Sequence, residues 1–160
     1  MKISLDQMNK IPIAIVKKLR EETGAPIIRV QKVLKEVEGD ANKAFEILQK
    51  EGFEKAETKG ERVTGQGKVF SYAHHSGKIT SVVELLCETD FVARNELFEE
   101  LGKNIAMQVA SMDPKDNKEL GGQDFIKDPS QKISDLVKVV IAKTGENIRI
   151  GKIVRVELGK

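Results

Sequence analysis

The sequence predicts an α+β protein: an N-terminal three-helix unit, then an antiparallel-sheet core with helices packed on one side, in the order β-β-α-α-β. Three observations predict it. Apolar residues recur every three or four positions between glycines over residues 11–53. Two β-branched and aromatic runs flank a His-Ser-Gly turn over 68–87. Two further helical stripes then precede an alternating terminal segment over 148–158.

Met1–Lys10 reads as a polar lead-in with Leu5 and Met8 among its few apolar residues. Pro12 suits a first helical turn, Ile15, Val16 and Leu19 follow at helical spacing, and Gly24 stops that helix. Pro26 opens a second helix carrying Ile27, Val30, Val33, Leu34 and Val37, with Gly39 at its end. Asp40 is positioned to N-cap a third, whose stripe of Ala41, Ala44, Phe45 and Leu48 runs to a closing Gly52. Residues 1–53 therefore read as one small helical domain, near the lower size limit for an independent core. Over residues 54–67 charges, threonines and three glycines replace the apolar stripe, and the segment reads as a linker to a core domain at 68–160.

The core opens with strands at Lys68–His74 and Ile79–Cys87, joined through His75, Ser76 and Gly77. The second has apolar residues on both faces, which predicts a central position in the sheet. At Cys87-Glu88-Thr89-Asp90-Phe91 the pattern turns helical, and the side-chain oxygens of Thr89 and Asp90 suit the free N–H groups of a helix start. From Val92 a long helix is expected, with Phe98, Leu101, Ile105, Val109 and Met112 on its stripe, ended by Asp113-Pro114. Lys115–Gly122 reads as a loop, and Phe125 and Ile126 as isolated apolar residues before Asp128-Pro129. Ile133, Leu136, Val137, Val140 and Ile141 predict the last helix, with Gly145 as its C-cap. The final strand, Ile148–Leu158, is expected to bury Ile148, Ile150, Val154, Val156 and Leu158 and to wet Arg149, Arg155 and Glu157.

Composition narrows the function classes. Hydrophobic residues make up 39% of the 160, enough for a core, but aromatics only 4%, so that core is aliphatic. Lys and Arg number 27 against 25 Asp and Glu, a balance without the dense basic footprint of direct nucleic-acid binding. No apolar run approaches the roughly 20 residues that span a membrane, and Met1–Lys10 lacks the pattern of a signal peptide. The single cysteine, Cys87, cannot form an internal disulfide, which fits a reducing, cytoplasmic setting.

Catalytic chemistry is not legible. Gly60-Glu61-Arg62-Val63-Thr64-Gly65 has the glycine spacing of a phosphate loop, but Gln66 stands where the lysine belongs. Gly65-Gln66-Gly67 does not extend to a dinucleotide fingerprint, because position 70 is Phe70. His74 and His75, adjacent on a strand, are expected to point to opposite faces, so no metal site is read there. Cys87 reads as core rather than nucleophile, Glu88 and Asp90 as capping or solvated carboxylates, and Lys59, Arg62 and Lys68 as solvated. No cofactor, metal or enzymatic activity is expected. From position alone, Phe91 reads as a core staple at a strand-to-helix corner.

A resemblance changes that reading. Cys87 to Asn95, with Glu96-Leu97-Phe98, resembles the signature of the elongation factor Ts family. Further similarity lies in Thr23-Gly24-Ala25, in Gly39-Asp40 with Lys43-Ala44, in Ser71-Tyr72 with His74 and Gly77, and in Ile141 to Ile148. The resemblance implies a ubiquitin-associated-like N-terminal domain and a translation factor that releases GDP from elongation factor Tu, in the cytoplasm or an organellar equivalent. It implies that Asp90 and Phe91, flanked by Thr89 and Val92, disturb the magnesium and phosphate site of that GTPase. It assigns Leu19, Ile27, Ile28 and Lys32 to docking of the N-terminal domain. Arg29-Val30-Gln31 departs from the family's frequent Asp-Cys-Lys, and only Asp113 to Gln123 stands where longer members carry a helical hairpin or a second core. Short single-core members are associated with homodimers, which implies a dimerising core with the His74 hairpin as a further partner contact. The alternative is a non-catalytic adaptor that binds a helix or peptide and dimerises through its α+β module.

Overall fold

The computed structural model describes residues 11–160, so the lead-in read at Met1–Lys10 lies outside the described residues. Helix α1 (Ile13–Thr23) starts after Pro12 and ends at Gly24 in the left-handed conformation, whose N–H donates to Arg20 O. Helix α2 (Ile27–Glu36) starts after Pro26. Helix α3 (Ala41–Glu57) is capped by the Asp40 carboxylate, which accepts the N–H groups of Asn42 and Lys43, both at 3.1 Å. Leu19, Val30, Val33, Leu34, Ala44 and Leu48 are buried together between the three helices. Arg29, on α2, forks onto Glu51 of α3 and also reaches Glu36, so its departure from the family pattern serves a cross-helix tie.

Strands β1 (Gln66–Ala73) and β2 (Ile79–Cys87) form the hairpin. The long helix expected from Val92 is divided into a four-residue turn, α4 (Asp90–Ala93), and α5 (Glu96–Met112). The division occurs because Asn95 N-caps anew, its side chain accepting Leu97 N–H at 2.8 Å. The stretch read as a loop contains α6 (Asn117–Gly122), capped by Asp116. Phe125 is not isolated: β3 (Asp124–Phe125) and β4 (Asp128–Lys132) form a small hairpin. Buried Gln108 of α5 holds it, donating to Gln123 Oε1 and Asp124 O and accepting from Ile126 N–H. Helix α7 (Ile133–Thr144) and strand β5 (Ile148–Glu157) complete the chain.

Gly52 does not close α3. A Cβ there would come within 3.3 Å of the Ala142 Cβ, so the glycine marks a close crossing of α3 over α7 rather than a helix end. Beyond it Lys138 of α7 pairs with Glu57 at 2.8 Å and lies 5.6 Å from the Phe53 ring centre, while Ala56 is buried in the core cluster. The first residues expected to be linker, 54–57, are therefore the last turn of a helix packed on the core.

The main sheet has the order β1-β2-β5, antiparallel throughout, with β2 central as its two apolar faces predict. Phe70, opposite Val83, packs into the space left by Gly102 of α5, where a Cβ would stand 2.2 Å from its ring. Ser81 Oγ donates to Ala106 O at 2.5 Å, bringing α5 close to the strand.

The facing of β5 departs from expectation. Val83 pairs with Ile153 but Leu85 with Ile150, so β5 carries one extra residue between them. Glu84 accepts Lys152 N–H at this bulge, at 3.1 Å. One extra residue reverses the alternation beyond it. Ile148 and Ile150 face the helices as expected, but further along Ile153, Arg155 and Glu157 do, and Val154, Val156 and Leu158 turn outward. Val156 is 63% exposed, whereas the Arg155 side chain is only 13% exposed. Arg155 Nε donates to Ala110 O at 2.9 Å, placing its charge at the carbonyl end of α5, where it opposes the helix dipole.

Two stability predictions follow from this packing. Gly102→Ala should destabilise the protein by about 1–3 kcal/mol through overpacking against Phe70; an unchanged urea midpoint would contradict the close approach. Hydrogen bonds from Arg155 and then Lys160 hold the Glu157 carboxyl below the usual carboxylate range. A depressed value means that the contribution is present above the unfolded-state pKa and disappears as pH falls through the folded one. Glu157→Gln should thus be less stable than wild type at neutral pH, and the two unfolding curves should converge as pH falls through the lowered folded-state pKa.

Candidate functional site

The corner after β2 is built from both ends. Its leading end is fixed by the pairing of Cys87 with Ile148 at the end of the sheet. Thr89 is extended, and its hydroxyl oxygen accepts Val92 N–H at 3.4 Å to start α4. At the trailing end Val92 and Ala93 are buried in the core. Phe91, between these anchors, is 84% exposed. A core staple would be buried, so the reading from position alone is overturned. Asp90 is exposed beside it and pairs with Arg94 at 3.1 Å, an exposed pair that water screens.

The α7–β5 passage ties the corner down. Glu146 Oε2 accepts Glu88 N–H at 3.2 Å and Thr89 N–H at 3.0 Å, and Glu146 Oε1 accepts the Thr89 hydroxyl at 2.6 Å. In return Glu88 Oε1 accepts Asn147 N–H at 2.6 Å. Asn147, itself buried, donates to the carbonyls of Gly60 and Arg62, while Arg62 reaches Gly145 O and the Glu88 carboxylate. Glu88 is thus a structural acceptor, and Arg62, read as solvated, is part of this mount. Lys68 is likewise paired, with Glu99, whose carboxyl the lysine holds below the usual range. Sequence reasoning assigned no role to Glu146 or Asn147; the polar Gly145-Glu146-Asn147 triplet at a helix-to-strand passage was the available signal.

The remaining expected residues divide by exposure. Ile27 and Ile28 on α2 are exposed, Ile28 at 81%; Ile27 and Gln31 line a surface groove with exposed Ile13 of α1, and Ile28 adjoins Ile27 with exposed Lys32 one turn further along the helix. Leu19 is 3% exposed, inside the helical core, rather than on that surface. His74 lies past the end of β1, where its Nδ1 is 2.7 Å from Ser76 Oγ. Because the strand ends at Ala73, His74 and His75 do not point to opposite faces; their ring centres are 4.1 Å apart. Among the described residues no group of three His, Cys, Asp or Glu side chains is arranged to hold a metal, and no helix is long and apolar enough to cross a membrane.

The sheet face away from the helices is open. The cross-strand rows Ser71–Val82–Val154 and Ala73–Thr80–Val156 carry no charge, and exposed Val69 and Leu158 extend this surface.

Cys87 is fully buried beneath the corner, with its Sγ 3.1 Å from Thr89 O. Burial, and then the Glu146 carboxylate, push its thiol above the ordinary cysteine value. Alkylation at pH 8 should accordingly be slow in the folded protein and become fast in urea; rapid labelling of the native state would show that the corner opens readily.

Comparison with known proteins places these features in a family. Residues 88–160 match the family model described as Elongation factor TS. The chain is 38% identical to the elongation factor Ts of Thermotoga neapolitana over 194 aligned positions, covering 94% of this chain and 98% of that protein. It is 37% identical to that of Oleidesulfovibrio alaskensis, covering 95% and 100%, and 36% identical to that of Thermosipho melanesiensis, covering 94% and 100%. Alignments of 194 positions against a chain of 160 residues mean that the relatives carry residues without a counterpart here.

Proposed function

The chain belongs to the elongation factor Ts family of translation elongation factors, and from that premise we propose that it releases GDP from elongation factor Tu by inserting Phe91. The observation that carries the reading is an aromatic side chain 84% exposed on a corner pinned at both ends. An exposed Phe adds little to folding, yet offers a partner a large apolar anchor of the kind that dominates interface energetics. Asp90 beside it supplies a carboxylate held only by a screened surface pair. The Ile13, Ile27 and Ile28 patch serves as a second docking point, with Lys32 on its rim, and the His74 hairpin as a further contact.

The mechanism is linkage between two binding events. A wedge that fits only the GTPase conformation with weakened magnesium and phosphate contacts lowers GDP affinity, and GDP lowers affinity for the wedge by the same factor. The exchange factor makes and breaks no covalent bond, so it works with no catalytic group, metal or cofactor of its own. Labelled GDP release from elongation factor Tu tests the reading: Phe91→Ala should slow stimulated release by at least about tenfold, as loss of an interface anchor does. No stimulation by the wild-type chain would remove the function, and an unaffected Phe91→Ala would remove the wedge. An adaptor that only binds would associate with its target without altering nucleotide release.

The chain acts as a homodimer in this reading, with the open sheet face as the self-complementary surface. Its uncharged centre and apolar valines suit face-to-face packing of two identical sheets across a twofold axis. Val154→Lys with Val156→Lys should yield monomers in sedimentation equilibrium, and a wild-type chain that is strictly monomeric and fully active would remove the dimer.

A further inference from the structure

The direction of Phe91 is set by a residue more than fifty positions away in the chain. Helix α4 has only four residues, a length that does not hold itself together. Phe91 makes no anchoring contact of its own at 84% exposure, so its orientation depends on what fixes the turn. Buried Val92 and Ala93 fix one side. On the other, Glu146 receives three hydrogen bonds, from the N–H groups of Glu88 and Thr89 and from the Thr89 hydroxyl. That hydroxyl has a single proton. It is given to Glu146 Oε1, which fixes the hydroxyl rotor while the oxygen accepts Val92 N–H, so the carboxylate holds the capping oxygen in place.

We propose that Glu146 is a positioning residue for nucleotide release, acting through Thr89 to hold Phe91 in the presented direction. This rests on the proposed role of Phe91. Without the carboxylate, two N–H groups at the corner lose their acceptor and Thr89 is free to turn its hydroxyl. The corner must then be ordered at the moment of binding, which weakens association with the partner. Asn147 N–H on Glu88 Oε1 holds the passage beside the corner even when Glu146 is changed, so the effect is local.

A double-mutant cycle tests this in the 160-residue chain, with kcat/KM for stimulated GDP release as the readout. Glu146→Ala should lose about tenfold, in line with hydrogen bonds to a charged group. Glu146→Gln should lose less, because its amide oxygen accepts Thr89 N–H while its NH2 donates to the hydroxyl. In a Phe91→Ala background, Glu146→Ala should add less than about twofold, since the side chain it positions is gone. Full additivity, or an unchanged Glu146→Ala, overturns the proposal. Amide hydrogen exchange of the isolated protein is the second readout. Glu146→Ala should accelerate exchange at Thr89 and Val92 by about tenfold. Unaltered exchange at those amides overturns it regardless of whether the wild type releases GDP, whereas a wild type without activity counts against the role of Phe91 instead.

Discussion

The register between β2 and β5 is the constraint from which the rest of the molecule follows. At one end it pairs Cys87 with Ile148, bringing the residues after β2 alongside those before β5. Glu88 and Thr89 thus meet Glu146 and Asn147, and backbone N–H groups that leave the sheet find carboxylate acceptors at once. Midway, the bulge opposite Val83 and Leu85 reverses the facing of everything beyond it. The same strand therefore contributes to the mount of the corner at one end and to an open apolar face at the other.

An exposed aromatic is an awkward group to keep in one orientation, because no packing holds it. Here the holding is displaced to its neighbours: Val92 and Ala93 are sunk in the aliphatic core and Thr89 is bound to Glu146. Folding energy comes from the anchors, while Phe91 stays outside the core. This separation explains how a short helix with little intrinsic stability can be an ordered feature of the surface.

The helical unit is joined to the core more intimately than a flexible tether allows. Helix α3 continues over α7, with Gly52 and Ala142 at the crossing and the Glu57–Lys138 pair beyond it. Gly24 adds to the seam from α1, since a Cβ there would stand 2.8 Å from Lys143 Cα. The patch of Ile13, Ile27 and Ile28 is consequently carried on a packed unit. In the proposed reading, both docking elements belong to one body, so engaging the second requires little further loss of freedom.

The α+β class, the three N-terminal helices, the central place of β2 and the last helix were all legible, because each rests on a periodicity or cap within ten or so residues. The hairpin at Asp124–Lys132 was not, since a two-residue strand has no period and depends on buried Gln108 from another element. Gly52 misled for a related reason: a glycine that ends a helix and one that admits a neighbouring helix look alike until the neighbour is known. The corner was found through its resemblance to a family signature, whereas its spacing alone pointed to burial of Phe91. Local chemistry in the sequence determined where chain segments turn and which residues cap them. Only the tertiary structure decided which way β5 faces, what Glu146 holds and that Phe91 is left outside, because those outcomes depend on cross-strand register and hydrogen bonds between segments more than fifty residues apart.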